Sequence, residues 1–216
     1  NWNVMGIFVG MLAVADIFMK SRVPAYLAEV IVVKAKNTAW AILSICFMTS
    51  FISAFVENVA TVLIVAPVAL ALAEKLKINP MKMMIAIAVS SNLQGAATLI
   101  GDPPSMLLGG FAKMSFLDFF FYKGKASIFF AVELGAVTSF VVLYFLFKGH
   151  KEKVASIAPE EIRSWVPTYI LVVLILVLAA SSFWDRGFSY SAGILCMFAG
   201  VISVVWEKCV NKGPVI

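Results

Sequence analysis

Between Trp165 and Trp184 the chain carries no charged residue, and it carries none again between Ser189 and Trp206. Ala126 to Phe147 contains only Glu133. Each run approaches the ~20 residues that an α-helix needs to cross a bilayer, and tryptophans at the run ends suit the membrane interface. A transmembrane β-barrel would instead show alternating segments of ~10 residues, and that alternation is absent. A soluble domain has roughly a quarter of its residues charged; this chain of 216 has 13% charged, 62% apolar and a mean hydropathy of +0.98. The expectation is an all-α polytopic membrane protein in contact with the lipid bilayer.

The formal charge of +5 does not indicate nucleic acid, because the lysines are scattered between apolar runs rather than gathered into a patch. They report topology. Cys46, Cys196 and Cys209 lie in or at the edges of apolar segments without metal-like spacing, which predicts small buried hydrophobes and no disulfide framework. The chain has no methionine or signal-peptide layout at Asn1 and no evident stop at Gly213-Pro214-Val215-Ile216, so it reads as a fragment of a longer membrane protein.

Four regions follow from the pattern. Residues 1–36 hold a scaffold helix, about Val4 to Met19, and a short segment Val23 to Lys36 that is too short to span and is expected to lie along the surface. Residues 37–147 form a first transport unit: two apolar arms, Thr38 to Val56 and Val59 to Glu74, an interrupted segment from Met81 to Phe111, and the span ending at Phe147. Residues 148–164 are a connector with a helix-start pattern at Pro159, Glu160 and Glu161. Residues 165–216 begin a second half. With Val23 to Lys36 on the surface, Lys113, Lys123, Lys125 and Arg186 fall on one side and the other 13 of the 17 Lys and Arg on the opposite side. Positive charge concentrates on the cytoplasmic side of membranes. Both arms therefore enter and leave from the cytoplasm, and a cytoplasmic (inner) membrane is the expected location.

Two stretches carry the chemistry. In FVENVATVLIVAP, Phe55 to Pro67, Glu57 and Asn58 sit between the arms with no glycine or proline to mark a water-exposed turn. The expected structure is a re-entrant hairpin with a polar tip inside the protein. In SSNLQGAATLIGDPPS, Ser90 to Ser105, small and polar residues interrupt an apolar segment, and Gly101, Pro103 and Pro104 disfavour a continuous helix. Such a break is tolerated in lipid only where protein or a hydrated cavity satisfies the backbone. Secondary transporters build sites this way, with half-helix ends facing ions. A membrane-embedded carboxylate costs several kcal/mol unless paired, protonated or metal-bound, which makes Glu57 a candidate proton-coupling group and equally a candidate cap for the helix after it. Asp102 before Pro103 has the same two readings. Asn92 and Thr98 offer neutral oxygens suited to a hard cation. Asp16 and Lys20 are spaced for an i,i+4 pair, Glu133 for a proton path or a pairing within the bundle, and His150 for a solvated loop.

These motifs resemble the ion transporter superfamily, in the branch that includes arsenite-efflux permeases, sodium/proton antiporters and the melanosomal P protein, and related citrate transporter-like domains. ISAFVENVATVLIVAP is similar to that branch's first hairpin, and SSNLQGAATLIGDPPS to its next, broken helix. The resemblance implies one of two inverted repeats, with the chain as the N-terminal-half portion, a homodimer formed through the scaffold, and the C-terminal half of the same chain as a necessary partner. In the dicarboxylate branch a Ser-Asn-Thr triplet at the tip forms a sodium and substrate site. Glu57, Asn58 and Val59 stand at the matching places here. The resemblance thus implies an ion or substrate site drawn from Ser53, Glu57, Asn58, Ser91, Asn92, Gly95, Thr98 and Asp102, with Asn58 and Asn92 as sodium ligands.

Glu57 and Val59 replace the triplet's hydroxyls, and a carboxylate at the first place disfavours an organic anion. Gln94 and Ser105 also differ from the residues more usual in the motif. The leading expectation is a secondary active transporter of a small inorganic ion, by sodium/proton antiport or export of arsenite or another anion. The chain is expected to need no cofactor beyond a coupling sodium ion or proton. The alternatives are an organic-anion permease of citrate-like dicarboxylates and a passive channel or structural membrane subunit. Gly101-Asp102 resembles the Gly-Asp of intramembrane aspartyl proteases, but the Tyr-Asp partner motif is absent, and no enzyme is expected.

Overall fold

Each charge-poor run forms a helix in the computed structural model, which describes residues 2–76, 79–150, 161–184 and 191–210. Among the described residues three helices are long and apolar enough to cross a membrane: α1 (Trp2–Lys20), α7 (Ile128–Phe147) and α9 (Ser191–Val210). Between them lie α2 (Val23–Lys34), α3 (Thr38–Ser53), α4 (Asn58–Leu76), α5 (Pro80–Gly95), α6 (Pro103–Ala112) and α8 (Val166–Ser181). Only 6% of the apolar window of α7 is buried. An apolar surface of that extent marks lipid contact rather than water, so the chain is an α-helical integral membrane protein.

Local chemistry sets the helix ends. Asn37 and Asn79 cap α3 and α5, their side-chain oxygens accepting the Trp40 and Met81 N–H groups at 3.0 and 2.9 Å. Arg22 in the left-handed region (φ 61°) turns the chain sharply from α1 into α2, with Pro24 in the first turn. The arm expected to reach Val56 stops at Ser53, because the chain must reverse over Ala54 to Glu57. A small antiparallel pair, Phe121–Tyr122 with Lys125–Ala126, was not anticipated. Its two turn residues, Lys123 and Gly124, both have positive φ (50° and 76°), the geometry of a tight two-residue hairpin. Of the expected connector helix, residues 151–160 lie outside the described residues and 161–164 are not helical.

Hydrogen bonds between distant segments order the helices end to end. Arg163 N–H donates to Ser21 C=O at 3.0 Å, joining the start of α8 to the end of α1, and Ala39 N–H donates to His150 C=O at 3.0 Å, joining the start of α3 to the end of α7. At the other end, Leu117 N–H donates to Ser182 Oγ at 3.2 Å, joining the segment before α7 to the end of α8. Both α7 and α8 therefore run between this second end and the first. Ser21 and Ala39 share the first end, with α2 between them. His150 is not the free solvated loop expected for it: its carbonyl anchors α3 and its ring lies 6.1 Å from that of Phe147. Ser50 and Ser53 bond the carbonyls of Ser90 and Ser91 at 3.3 and 2.9 Å, so α3 and α5 run side by side from the first end and finish together within the bundle.

The tightest packing joins the first and last described helices. A β-carbon on Gly6 would lie 3.0 Å from the Cα of Gly193, and one on Gly10 would collide with the carbonyl of Cys196. Asn3 reaches across from α1 to accept the Gly193 N–H at 2.6 Å, capping α9 laterally. At their far ends Lys20 pairs with Asp16 at 2.7 Å, as its spacing predicts, and approaches Glu207 at 3.9 Å. Thus α1 and α9 are parallel. Cys46 and Cys196 are buried as expected, whereas Cys209 is exposed on the last turn of α9.

A close glycine contact of this kind is the membrane equivalent of a core position. Gly10→Val should destabilise the protein by about 1–3 kcal/mol through overpacking, read as a lowered midpoint of thermal aggregation in detergent. Gly149→Ala, with nothing within 4 Å of the added carbon, should leave the midpoint unchanged.

Candidate functional site

A site takes shape where α3 and α5 end and α4 begins. The last residue of α3, Ser53, is fully buried, and its hydroxyl lies 2.8 Å from Asn58 Oδ1, 2.9 Å from Ser91 C=O and 2.9 Å from Ser91 Oγ. Ser91 Oγ in turn lies 3.1 Å from Asn58 C=O. A hydroxyl has one proton and two lone pairs, so these groups form a closed set in which every donor has an acceptor. Asn58 Nδ2 donates to Asn92 Oδ1 at 3.3 Å, and Asn92 is held from below by Ala88 C=O at 2.8 Å. Ser53, Asn58, Ser91 and Asn92, chosen from two separate motifs, are thus brought together.

Gly95 completes the junction. A β-carbon there would occupy the space of Asn58 Oδ1, so only glycine admits the asparagine. Gly101 has a similar role a few residues later. The space a β-carbon would fill at Gly101 is bounded by Ala54 C=O at 2.9 Å, Ser53 C=O at 3.0 Å and, closer still, Gly95 C=O. These carbonyls belong to the last turns of α3 and α5, where helical carbonyls lack intrahelical partners and the helix dipole is negative. Thr98 donates its hydroxyl to one of them, Ala54 C=O. Residues 97–101 are fully enclosed although they form no helix.

The two helix N-termini beside the site are already occupied by carboxylates. Glu57 Oε2 accepts the Ala60 N–H at 3.0 Å and Asp102 Oδ1 accepts the Ser105 N–H at 2.9 Å, each an N-cap three residues into its helix. Thr61 adds a bond to Glu57 C=O at 3.1 Å. Glu57 and Asp102 therefore stand beside the cluster of Ser53 and Asn58, at α4 and α6, rather than in it. The capping reading of both residues accounts for their geometry. Glu133 of α7 accepts the amide of Gln94, the residue before Gly95, which is the pairing reading expected for it.

Backbone near Gly95 is a helper that the resemblance already implies, whereas the carbonyls of Ser53 and Ala54 and the role of Gly101 were missed, because a backbone oxygen leaves no residue-type signature. Their one trace was glycine at two places where the apolar run breaks. Chemically, a set of neutral carbonyl and amide oxygens beside two helix C-termini suits a hard cation such as sodium. An approaching anion would meet two N-termini that carboxylates have already neutralised. Asp102→Ala should lower the stability of the protein by about 1 kcal/mol through loss of the α6 cap, and Asp102→Asn should restore most of it; thermal aggregation midpoints of the two variants test this.

Comparison with known proteins agrees with this architecture. The sequence model of the citrate transporter family matches residues 1–211. The chain is 33% identical over 190 residues to a 46 kDa membrane protein of Mycobacterium leprae, covering 83% of this chain and 43% of that protein. It is 32% identical over 138 residues to an uncharacterized transporter of Mycobacterium tuberculosis, covering 63% of this chain and 32% of that protein. It is 28% identical over 152 residues to the human P protein, covering 70% of this chain and 18% of that protein. The chain thus spans less than half the length of these relatives. With nearly its whole length matched by one family, the chain belongs to the citrate transporter family.

Proposed function

We propose that the full-length protein is a secondary active transporter that carries a citrate-like organic anion across the membrane together with a coupling cation. The observation that carries this reading is the convergence of the α3 and α5 C-terminal carbonyls with the oxygens of Ser53, Asn58 and Asn92 around a position that admits only glycine. A cation held there offsets the negative charge of an arriving carboxylate, which the capped N-termini of α4 and α6 cannot do. The family match favours the organic anion over the inorganic ion that heads the expectations from the sequence.

In this reading α3 and α4 form a re-entrant hairpin that enters from the cytoplasmic side, α5 and α6 are the halves of one broken transmembrane helix, and residues 37–147 are one of two inverted repeats. The rest of the full-length chain supplies the second. Residues 1–36 contribute scaffold, residues 148–164 the connector and residues 165–216 the first helices of the second half, with a homodimer formed through the scaffolds. Asn58 and Asn92 are the side-chain ligands of sodium, Ser53 and Ser91 orient them, and Gly95, Thr98 and Asp102 shape the break.

One observation favours a second reading. Glu57 places a carboxylate at the tip where the dicarboxylate branch has serine, and a titrating group there suits sodium/proton antiport or arsenite export. Flux in proteoliposomes of the full-length protein separates the two. Citrate uptake driven by an imposed sodium or proton gradient, reduced about tenfold or more in Asn58→Ala through loss of a ligand and its hydrogen bonds, is the expected result. Glu57→Gln, which keeps a capping oxygen, should retain citrate uptake. If citrate fails to move while sodium/proton exchange or arsenite efflux appears and vanishes in Glu57→Gln, the second reading replaces the first.

A further inference from the structure

Outside the junction, Glu133 is the one charged residue of the apolar helix α7. Glu133 lies five residues past the start of α7, so about 7–8 Å along a helix some 30 Å long. A helix of that length matches the ~30 Å hydrocarbon layer of a typical bilayer. The helix around it is the most lipid-exposed of the chain's three long apolar helices. A cavity of about 590 Å³ opens beside it between α3, α5 and α7, walled by Phe47, Phe51, Phe129 and Phe140, with Glu133 and Gln94 supplying its polar end.

What the cavity lacks is a positive charge. Among the described residues the side-chain partner of Glu133 is the neutral amide of Gln94. α3 contains no charged residue, and the single one of α5, Lys82, is twelve residues from Gln94, or about 18 Å along the helix. The remaining titratable group of α3 is the buried Cys46 thiol; α7 itself adds only Tyr144, eleven residues further on. Lys123 and Lys125 belong to the small hairpin before α7, and Lys123 sits over the Tyr122 ring at 5.2 Å. Among the described residues a Glu133 carboxylate has the Gln94 amide as its hydrogen-bond donor and no counter-ion, and a carboxylate within a membrane is costly unless it is paired, protonated or metal-bound.

We propose that Glu133 and Gln94 form a proton-binding site, separate from the cation cluster, reached through the phenylalanine-lined cavity. Its place in the chain gives it a consequence. Gln94 immediately precedes Gly95, whose missing β-carbon seats Asn58. When Glu133 is ionised it accepts the Gln94 amide and holds the end of α5 to α7; when it is protonated the amide loses a charged acceptor, and this tie weakens. Proton occupancy at α7 thereby bears on the glycine that positions the cation ligand. This last step rests on the transport reading, whereas proton binding by Glu133 does not.

The test uses the purified full-length protein in lipid, with Glu133→Gln and Gln94→Leu beside it. Infrared difference spectra taken across a pH titration should show a protonated-carboxyl C=O band that is absent in Glu133→Gln. In Gln94→Leu, which removes the amide donor, the band should persist to higher pH. Dicyclohexylcarbodiimide gives a second signal. The carboxylic acid passes its proton to a carbodiimide nitrogen as its oxygen bonds the central carbon, and the acyl group then migrates from oxygen to nitrogen to leave a stable N-acylurea. Above the site's pKa the rate of adduct formation at Glu133 should fall about tenfold per pH unit, following the protonated fraction. Absence of a Glu133-dependent carboxyl band overturns the proposal. In proteoliposomes Glu133→Gln should lose the response to a pH gradient. If the wild-type protein transports nothing while the band titrates, the transport reading fails and the proton site stands.

Discussion

Two interruptions of helical structure lie in an apolar bundle, and each supplies what the other lacks. Backbone groups freed at the end of α3 and at the end of α5 have no water to turn to, and each one left unsatisfied would cost about 1–3 kcal/mol. The chain answers with Ser53, Ser91, Asn58 and Thr98, which bond across the junction rather than within their own helices. Gly95 makes this contact sterically admissible by leaving room for Asn58. Neither break is stable without its partner. The α3–α4 pair and the α5–α6 pair therefore behave as one mechanical unit.

Electrostatics divides the junction into two kinds of surface. The C-terminal carbonyls of α3 and α5 point inward with their negative dipole ends uncompensated by any side-chain cation among the described residues, while Glu57 and Asp102 cover the positive ends of α4 and α6. A carboxylate that looks costly in the sequence is thus made tolerable by a helix terminus. The same bond removes a place where a free anion would otherwise dock. In the proposed reading, charge selection follows from these caps more than from the asparagines.

Much of this could be read from residue order because the signals are local. Charge-poor runs of the right length give α1, α7, α8 and α9, the Asp-Pro-Pro sequence gives the start of α6, and the Ser-Ser-Asn and Glu-Asn motifs give the side chains that meet. What escaped depends on approach from elsewhere in the chain. The Gly6 and Gly10 spacing is a small-residue pattern of the kind that lets helices touch, yet its partner, α9, is named by nothing near it. Gly101 was visible as a breaker of helix but not as the boundary of a carbonyl cluster, since backbone oxygens are the same in every residue. His150, read as solvent-exposed from its lysine neighbours, is tied down by a carbonyl that its side chain does not reveal. The short strand pair after α6 failed to register because its signal, Lys123-Gly124, is only two residues long.

The parallel clasp of α1 on α9 also orders events during synthesis. Asn3 cannot cap Gly193 until the chain 190 residues further on has been made, so α1 enters the bilayer long before the surface it fits exists. Contacts this distant in sequence form late. Through that interval the close-approach face of α1, with its glycines and its asparagine, stands open to lipid or to the insertion machinery. The clasp then closes after the junction between α3, α4 and α5 has had time to assemble in between.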